Sequence, residues 1–387
     1  MSLEESALTV GSHSFEGVSA SDVVVVALGK AAAAMASGAH DVVGGQRGFV
    51  VTTHTSDTPY AMCIGSHPIP DESSRRCGES LVAFVDATRS SDVVVFLVSG
   101  GGSAAASLPA AGVTIDDIAQ MNSHLMASGL PIADINEVRA SVSRLKGGLL
   151  AASTGAERQV TLVMSDVVGV GPEHVASGPS IGFGLGRRAG AVLMAAGLRS
   201  RMPPAVAAAV DRFVPLDRPA SVKHTIVGSP SIAAHAAASN FRSRGFNALV
   251  VETDLMGEAR SEAVALVDRT PSGTIHVAAG ETTVTIHGGG VGGRNQEAAL
   301  AVALHSDGRD VLFAALGTDG IDGPTPAAGA IVDGGTAANA RGAGVDLDTA
   351  LADNDSHQAL TTLGETIVTG PSGTNVADIW IAAKGPF

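Results

Sequence analysis

Short runs of apolar, Val-rich residues alternate along this chain with longer Ala-rich stretches. The apolar runs at 23–28, 92–98 and 159–164 predict strands that are buried on both faces. Further strands are predicted at 225–228, 248–251, 275–279 and 311–316. The Ala-rich stretches predict helices at 31–43, 114–128, 231–244, 257–268 and 295–306. Continuous apolar strands separated by helices are typical of parallel sheets that helices cover on both faces.

This alternation predicts an α/β fold with two α/β domains, each with a largely parallel, Rossmann-like sheet covered by helices. Pro-rich segments at 202–204 and 215–219 interrupt the pattern and predict a domain boundary near residue 225. We therefore expect an N-terminal domain over 1–225 and a C-terminal domain over 226–387, with the strand at 225–228 in the C-terminal part. An alternative is that the first strand crosses over and joins the other sheet.

Composition narrows the classes of function. The 387 residues are 45% hydrophobic and 16% charged, so the chain can bury large cores. A net charge of −14 and a low aromatic content argue against nucleic acid or an anionic membrane as the main partner. Two cysteines, Cys63 and Cys77, exclude a framework of several disulfides and a four-thiolate metal site. Without a signal-peptide pattern or an apolar run of about 20 residues, we expect a soluble cytoplasmic protein in a reducing compartment.

Five segments share one arrangement, in which a predicted strand ends and a Gly-rich or Asp-bearing loop follows. They are the loops at 29–30, 99–103, 165–166, 288–297 and 317–323. Because ligands of open α/β sheets bind beyond the carboxyl ends of the strands, these loops predict a composite cleft.

One of these loops is predicted to bind an anion. It consists of Ser99, Gly100, Gly101, Gly102 and Ser103, and it precedes an Ala-rich helix. Backbone amides left uncovered by glycine, next to a helix N-terminus, favour a phosphate or a carboxylate. The alternative is a glycine turn that serves only the close packing of strand and helix.

The loop at 288–297 matches G-x-G-x-x-G between residues 288 and 293, so a dinucleotide site competes with a phosphate site here. Against the dinucleotide, the motif lies in the last third of the chain, and no acidic residue ends the next strand about 20 residues on. Arg294 opens the following helix as a fixed cation, which suits a phosphoryl group in transfer. Gly292, Gly293 and Asn295 are accordingly predicted to contact phosphate or nucleotide.

Two of the four lysines in the chain stand beside glycine at predicted element ends. Lys30 and Lys146 are therefore candidate functional cations, although Lys30 does not belong to a P-loop motif, because Ala31 follows it. Asn136 and Arg139 lie three apart on one helical face and are predicted to hold a carboxylate, with a solvated helix face as the alternative.

Acidic residues near strand ends could hold a divalent cation. Asp166 and Asp319 are predicted to bind Mg²⁺, which favours one or two carboxylates together with substrate phosphates. Asp beside Gly also caps turns and helices, and that interpretation stays open for both residues and for Asp322. The twelve histidines form no zinc motif. His67 is interpreted as a turn residue, with a place in the lining of the cleft as the alternative.

Motifs are distributed from about residue 22 to residue 381. In chain order they are GKAA at 29–32, HPIPDE at 67–72, VSGGGSA at 98–104, NEVR at 136–139, LKGG at 145–148, SDV at 165–167 with ASGP at 176–179, GETTV at 280–284, GGRNQE at 292–297, GTDGIDGP at 317–324 and GPSGTNV at 370–376. In this order they resemble the MOFRL-type glycerate 2-kinase family.

The resemblance implies two α/β domains with the active site in the cleft between them. It implies transfer of the ATP γ-phosphoryl group to the 2-hydroxyl of D-glycerate or a closely related hydroxy acid, with Mg²⁺. Lys30 and Arg294 match the lysine and the arginine that are tied to catalysis in the family. A homodimer is compatible with this assignment.

Three departures from the family keep alternatives open. Ala140-Ser141-Val142-Ser143 replaces the usual Lys-His-Leu-Ser, Val168-Gly169-Val170 replaces Pro-Gly-Asp, and the leading helical segment is almost absent. A degenerate, non-catalytic ligand-binding homologue is therefore the first alternative. The second is an NAD(P)-dependent hydroxypyruvate reductase, a label that some relatives carry, but the sequence shows no convincing nicotinamide site.

Overall fold

A computed structural model describes residues 1–4, 6–216 and 223–386. The chain divides into two compact units, Met1–Val227 and Gly228–Phe387. The Pro-rich segment predicted at 215–219 lies partly outside the described residues, which omit 217–222. Within the described ranges, none of the helices combines the length and the apolar character that crossing a membrane requires.

The N-terminal unit begins with a small antiparallel sheet that the sequence analysis did not predict. Its strands are β1 (Ser2–Glu4), β2 (Ala7–Val10) and β3 (His13–Glu16). Leu8, Val10 and Phe15 bury their side chains in the core beside the main sheet. Strands of three and four residues show too little alternation to stand out in a sequence.

The main sheet of this unit has the order β6-β5-β4-β7-β8-β9. Its strands are β4 (Val23–Leu28), β5 (Arg47–Thr52), β6 (Ala61–Ile64), β7 (Val93–Ser99), β8 (Arg158–Met164) and β9 (Lys223–Gly228). The pairs from β6 to β8 are all parallel, as the continuous apolar strands predicted. The placement of the strand at 225–228 in the C-terminal part is wrong, because β9 lies next to β8 in this sheet.

Helices cover both faces of this sheet. They are α1 (Ala32–Val43), α2 (Glu72–Asp86), α3 (Gly102–Ala105), α4 (Ile115–Met126), α5 (Ile132–Ser141), α6 (Leu149–Ala152), α7 (Ala189–Ala195) and α8 (Pro204–Arg212). Alternate residues of β4 face opposite cores: Val25 packs with α1, and Val24 packs with α2. A separate core joins α4, α5, α7 and α8.

Cys63 on β6 and Cys77 on α2 form a disulfide bond, with their Cα atoms 5.5 Å apart. The sequence-based expectation of a reducing compartment did not include this bond. The bond closes the loop that carries His67. Since disulfides are rare in cytosolic proteins, the cytoplasmic location stays a prediction.

The C-terminal unit contains a second six-stranded sheet, with the order β10-β11-β15-β12-β13-β14. Its strands are β10 (Ala248–Leu255), β11 (Thr274–Gly280), β12 (Val311–Gly317), β13 (Gly329–Asp333), β14 (Thr366–Ile367) and β15 (Asp378–Lys384). The prediction of a largely parallel sheet is wrong here, because among the described strands of this unit only β10 and β11 pair in parallel. A strand buried on both faces has the same apolar pattern in either pairing, so the pattern cannot distinguish them.

The helices of this unit are α9 (Pro230–Ser243), α10 (Ala259–Asp268), α11 (Arg294–His305), α12 (Thr336–Ala343), α13 (Leu347–Ala352) and α14 (Ser356–Leu363). Residues 295–303 of α11 are all buried, so this helix is central to the core. Its small Ala residues allow that close packing. The end of β15 that begins at Asp378 lies opposite Gly280 and Gly317, which places three loops at one edge.

Candidate active site

In the N-terminal unit, three predicted loops meet because β4, β7 and β8 are parallel neighbours. The backbone N–H of Lys30 donates to the carbonyl oxygen of Gly100 at 2.8 Å. The Asp166 carboxylate lies against Gly100, since a Cβ atom at position 100 would be 1.6 Å from Oδ2 of Asp166. Lys30, Asp166 and the glycine loop are therefore brought together, as their positions after adjacent strands predicted.

His67 also reaches this group of loops. Gly101 has a φ of +81°, and a Cβ atom there would lie 3.0 Å from Cγ of Lys30 and 3.3 Å from Cδ2 of His67. The absence of a Cβ atom at Gly101 thus admits both side chains. Of the two interpretations of His67, the structure supports the alternative, a place in the lining of the cleft.

Ser99 is not available to a ligand through its side chain. It is fully buried, its Oγ accepts a hydrogen bond from the Ala31 N–H at 3.1 Å, and it donates to the Leu28 carbonyl oxygen at 3.3 Å. The prediction of Ser99 as a phosphate ligand is corrected in this respect. Its hydroxyl joins the loop that carries Lys30 to the glycine loop.

A cavity of about 200 Å³ adjoins the glycine loop. Its walls come from the loops after β6, β7 and β8, from α4 and α5, and from the segment at 174–177. The polar residues among them are His67, Ser103, Asn122, Asn136, Arg139, Asp166, His174 and Ser177. This volume suits a small polar molecule.

Arg139 lines this cavity, and Lys146 is close enough to Arg139 for their charges to interact. The Arg139 Nε donates to the neutral Oδ1 of Asn122 at 2.8 Å, and burial lowers the pKa of Arg139 to about 10. Lys146 is only 4% exposed, and burial together with the nearby Arg139 lowers its pKa to about 7. Buried like charges oppose each other and favour an anion in their vicinity.

Asn136 is 1% exposed and is hydrogen-bonded within the protein. Its Nδ2 donates to the His174 carbonyl oxygen at 3.0 Å, and its Oδ1 accepts from the Ser177 hydroxyl at 2.8 Å. We expected Asn136 and Arg139 to hold a carboxylate together. The structure corrects this for Asn136, because both polar atoms of its side chain bind His174 and Ser177.

In the C-terminal unit, Arg294 is the first residue of α11 and is fixed by two carboxylates. Its Nε and Nη2 donate to Asp378 at 2.5 and 3.0 Å, and Nη1 lies 3.0 Å from Oε1 of Glu281. Burial raises the pKa of Asp378 to about 6, although Arg294 opposes this shift. Burial alone would lower the pKa of Arg294, but its bonds to Asp378 raise it above the ordinary value.

The N-terminus of α11 is capped by a carboxylate rather than open to an anion. Oδ1 and Oδ2 of Asp322 accept from the backbone N–H groups of Asn295 and Gln296 at 3.0 and 2.9 Å. Asn295 is fully buried, and its Oδ1 accepts from Nε1 of Trp380 at 2.8 Å. The prediction of Asn295 as a nucleotide ligand is not compatible with this geometry, because its groups are engaged internally.

The glycine loop before α11 binds a tripeptide of its own chain, Asp353–Asn354–Asp355. The amides of His287 and Gly288 donate to Oδ1 of Asn354 at 2.7 and 3.1 Å. The next amides, from 289 to 291, donate to Asp353 and Asp355. A dinucleotide site would need these amides for a pyrophosphate, so this geometry opposes the dinucleotide interpretation.

The remaining predicted residues have structural contacts of their own. A Cβ atom at Gly292 would lie 2.2 Å from Oγ of Ser356, and one at Gly293 would lie 2.3 Å from Cγ of Asp322. Oδ1 of Asp319 accepts from the Ile321 N–H at 3.1 Å, a typical Asx turn. Close packing and turn formation account for these contacts, and their roles toward ligands stay predictions.

Several residues of the two groups were not singled out from the sequence. They are Asn122, His174, Ser177, Glu281 and Asp378. Glu281 and Ser177 fall inside the motifs at 280–284 and 176–179, so the motifs were a usable signal for them. Asp378 begins β15 as a buried carboxylate, and a single Asp before an apolar run carries no such signal.

The chain matches two family models and several kinase relatives. Residues 2–211 match a family described as a domain of unknown function, DUF4147, and residues 274–378 match the MOFRL family. The D-glycerate 2-kinase of Thermotoga maritima is 37% identical over 93% of this chain and 90% of its own length. The glycerate 2-kinase of Pyrococcus horikoshii is 36% identical over 93% and 87%.

A solved structure shows the same fold. The crystal structure of the glycerate kinase from Thermotoga maritima matches with a TM-score of 0.84 and 35% identity, covering 94% of this chain and 92% of that one. Both matched families and the relatives span most of the chain. The chain therefore belongs to the glycerate 2-kinase family, with an N-terminal DUF4147 region and a C-terminal MOFRL region.

Proposed function

We propose that this protein is a kinase that transfers the γ-phosphoryl group of ATP to the 2-hydroxyl of D-glycerate or a closely related small hydroxy acid. The observation that carries the proposal is the small cavity lined by the glycine loop, Asp166 and Arg139, with Lys30 lying against Gly101 of that loop. Its kinase relatives support the same chemistry.

The acid is held by Arg139 and Lys146. A carboxylate beside these two cations would relieve their mutual repulsion, and charge-assisted bonds from Arg139 would orient it. The neutral Asn122 fixes the guanidinium of Arg139 without cancelling its charge.

The phosphoryl group is stabilised by cations and backbone amides. Phosphoryl transfer depends mainly on positioning and on neutralising charge on the equatorial oxygens. Lys30 and Arg294 supply positive charge, and the amides of Gly100, Gly101 and Gly102 supply hydrogen-bond donors. The side chains of Ser99 and Asn295 are hydrogen-bonded within the protein, so we assign them no contact with the phosphoryl group.

Magnesium fits the donor set around Asp166. Among the described residues, no group of three or more His, Cys, Asp or Glu is placed to hold a metal. Mg²⁺ needs only one or two carboxylates when substrate phosphates complete its shell. Asp166, beside the glycine loop, would hold it, and the ion would neutralise phosphate charge. Asp319 as a second ligand is a further part of the proposal.

The departures from the family do not remove the proposed groups. Ala140 and Ser141 are buried, and Ala140 lies against Gly147, since a Cβ atom there would be 3.3 Å from that of Ala140. Smaller residues at 140 and 141 therefore affect the packing beside Lys146. We propose that they tune the choice of acid rather than abolish activity.

A coupled ADP-release assay tests the function. With MgATP, the panel is D-glycerate, L-glycerate, tartronate, erythronate and threonate, and D-glycerate is expected to give rapid turnover. Lys30→Ala and Arg294→Ala should each lower kcat at least a hundredfold, whereas the controls Lys384→Ala and Arg244→Ala should not. Full turnover by either of the first two variants would remove that residue from the mechanism. No turnover with any acid would support the degenerate homologue.

Two further properties belong to the proposal. We infer a cytoplasmic location, and a homodimer is compatible with the proposed function. Fractionation of cells that express the natural gene and sedimentation of the purified chain test these expectations separately. A secreted product or a monomer would contradict them.

A further inference from the structure

A chain of hydrogen bonds runs from α5 to the glycine loop and ends at the cavity. Ser103 Oγ lies 3.0 Å from Ser177 Oγ, which lies 2.8 Å from Oδ1 of Asn136. Nδ2 of Asn136 lies 3.0 Å from the His174 carbonyl oxygen. All four residues line the cavity, but Ser177 and Asn136 are each only 1% exposed.

The direction of every bond in this chain is determined. A backbone carbonyl can only accept, so the amide nitrogen of Asn136 must face His174, and Oδ1 must face Ser177. Ser177 therefore donates its single hydroxyl hydrogen to Asn136. Because that hydrogen is used, the contact between the two serines requires Ser103 to donate.

Ser103 consequently presents only lone pairs to the cavity. Phosphate and carboxylate oxygens are acceptors when ionised, and an acceptor cannot pair with lone pairs. A hydroxyl group of the ligand can. This polarity corrects the expectation that the Ser103 side chain binds phosphate.

The backbone that carries Ser177 has a strained conformation. Ala176 and Ser177 both have left-handed φ values, +52° and +60°, which non-glycine residues rarely adopt. The carbonyl oxygen of Ser177 accepts from the Gly147 N–H at 3.0 Å, next to Lys146. Strained residues that persist in a ligand cavity point to a function for the position they hold.

We propose that Ser103 accepts a hydrogen bond from the substrate hydroxyl that is not phosphorylated, and that Ser177 and Asn136 are positioning residues which keep Ser103 an acceptor. The hydroxyl that attacks phosphorus must lose its proton. The series of hydrogen bonds from Ser103 ends at the amide oxygen of Asn136, which cannot hold a proton. A hydroxyl that keeps its proton is the suitable partner. The identity of the acid rests on the proposed function.

D-Lactate provides the test, because it is D-glycerate without the 3-hydroxyl. A site that hydrogen-bonds a hydroxyl discriminates strongly against an analogue that lacks it. Calorimetric titration without ATP should show that the wild-type chain binds D-glycerate at least tenfold more tightly than D-lactate. In Ser103→Ala, this ratio should fall to about one, whereas the KM for ATP should not change.

Ser177 variants separate the hydroxyl from the backbone strain. Ser177→Ala removes the hydroxyl only, and Ser177→Gly also relieves the left-handed conformation. Both should lower the glycerate-to-lactate ratio by the same factor, at least threefold, because Ser103 is then free to rotate. Ser123→Ala, on the exposed face of α4, is the matched control and should leave the ratio unchanged.

The outcomes distinguish this inference from the proposed function. A wild-type ratio near one, or an unchanged ratio in Ser103→Ala, overturns the inference even if the chain is an active kinase. A higher KM for ATP with an unchanged ratio would reinstate Ser103 as a phosphate ligand. A Ser103-dependent ratio in a chain that releases no ADP would support the inference while the kinase assignment fails.

Discussion

The Arg294 guanidinium is held by the Asp378 carboxylate through two hydrogen bonds, Nε to Oδ2 at 2.5 Å and Nη2 to Oδ1 at 3.0 Å. Asp378 is almost fully buried, whereas Arg294 is about one-third exposed. The pair thus fixes one edge of the guanidinium and leaves hydrogens on both Nη atoms for other acceptors. We therefore expect Asp378 to affect catalysis indirectly, by holding Arg294 in its orientation.

Asp378→Asn tests this dependence. The amide keeps the size of Asp378 but places a donor opposite a donor, so Arg294 should lose its orientation. We expect kcat to fall at least tenfold, with the KM for the hydroxy acid changed less than twofold. Asp307→Asn, which breaks an exposed pair with Arg341, is the control and should leave kcat unchanged. An equal loss in both variants would contradict the positioning role.

The pH profile should carry the signature of the same residue. Burial raises the pKa of Asp378 to about 6, and the protonated form no longer binds Arg294 as an anion. The kcat/KM of the wild-type enzyme should therefore fall as the pH drops below about 6. Asp378→Asn should lack this acid limb, since position 378 no longer titrates. An identical limb in the variant would assign it to another group.

Lys146 should make stability depend on pH in the alkaline range. Burial lowers its pKa to about 7 from an ordinary value of 10.5, so between these values only the unfolded chain holds the extra proton. Stability therefore rises with pH in this window. Lys146→Met should raise Tm at pH 7 and flatten its rise toward pH 10, compared with the Lys384→Met control. Equal slopes in the two variants would show that Lys146 titrates normally.

The same titration predicts how acid binding changes. Protonated Lys146 attracts a carboxylate, and the neutral form does not. The Kd for D-glycerate, measured by calorimetry, should increase as the pH rises from 7 to 9 in the wild type but not in Lys146→Met. A pH-independent Kd in the wild type would remove Lys146 from the acid site.

Asn354 should stabilise the loop that precedes Arg294. It accepts from two loop amides and donates to the buried Glu297 at 2.9 Å. Asn354→Ala removes the acceptor of the two loop amides, while Arg260 still binds Glu297, so the free energy of unfolding should fall by about 2 kcal/mol. Denaturant unfolding measures this loss, and the exposed Asn240→Ala should change stability little. A change below about 0.5 kcal/mol would show that water replaces the side chain.

Gly100 is required by the contact with Asp166. A Cβ atom at this position would overlap Oδ2 of Asp166 at 1.6 Å, so the carboxylate must move. Gly100→Ala should lower kcat at least tenfold and weaken the dependence of activity on Mg²⁺. Gly38→Ala within α1, where a Cβ atom meets no neighbour within 4 Å, should retain full activity. Normal kcat in Gly100→Ala would exclude Asp166 from the metal site.

The extent of successful prediction differs between the two units. Apolar runs located β4, β7 and β8 to within a residue at each end, and their parallel order brought Lys30 and Asp166 together. The same type of run at 311–316 located β12 but not its antiparallel neighbours. Burial on both faces determines the composition of a strand, whereas its direction depends on connections that the composition does not record.

Glycine runs were the least specific signal. The loop at 99–103 admits Lys30, His67 and Asp166 by lacking side chains, while the loop at 288–293 uses its amides to bind Asp353–Asn354–Asp355. Both runs allow a close approach of backbone to another group. The local sequence does not show whether the approaching group is a ligand or a tripeptide from elsewhere in the chain.

The sequence by itself determined the α/β class, most helices and strands that contain a long apolar pattern, and the residue types that the chemistry needs. These properties depend on local periodicity and on the identity of side chains. Only the tertiary structure decided that Ser103 is hydrogen-bonded to Ser177, that Arg294 is bound to Asp378, and that Asn295 is buried. Each depends on hydrogen bonds between residues 41 to 85 positions apart in the chain, which packing sets and local sequence does not encode.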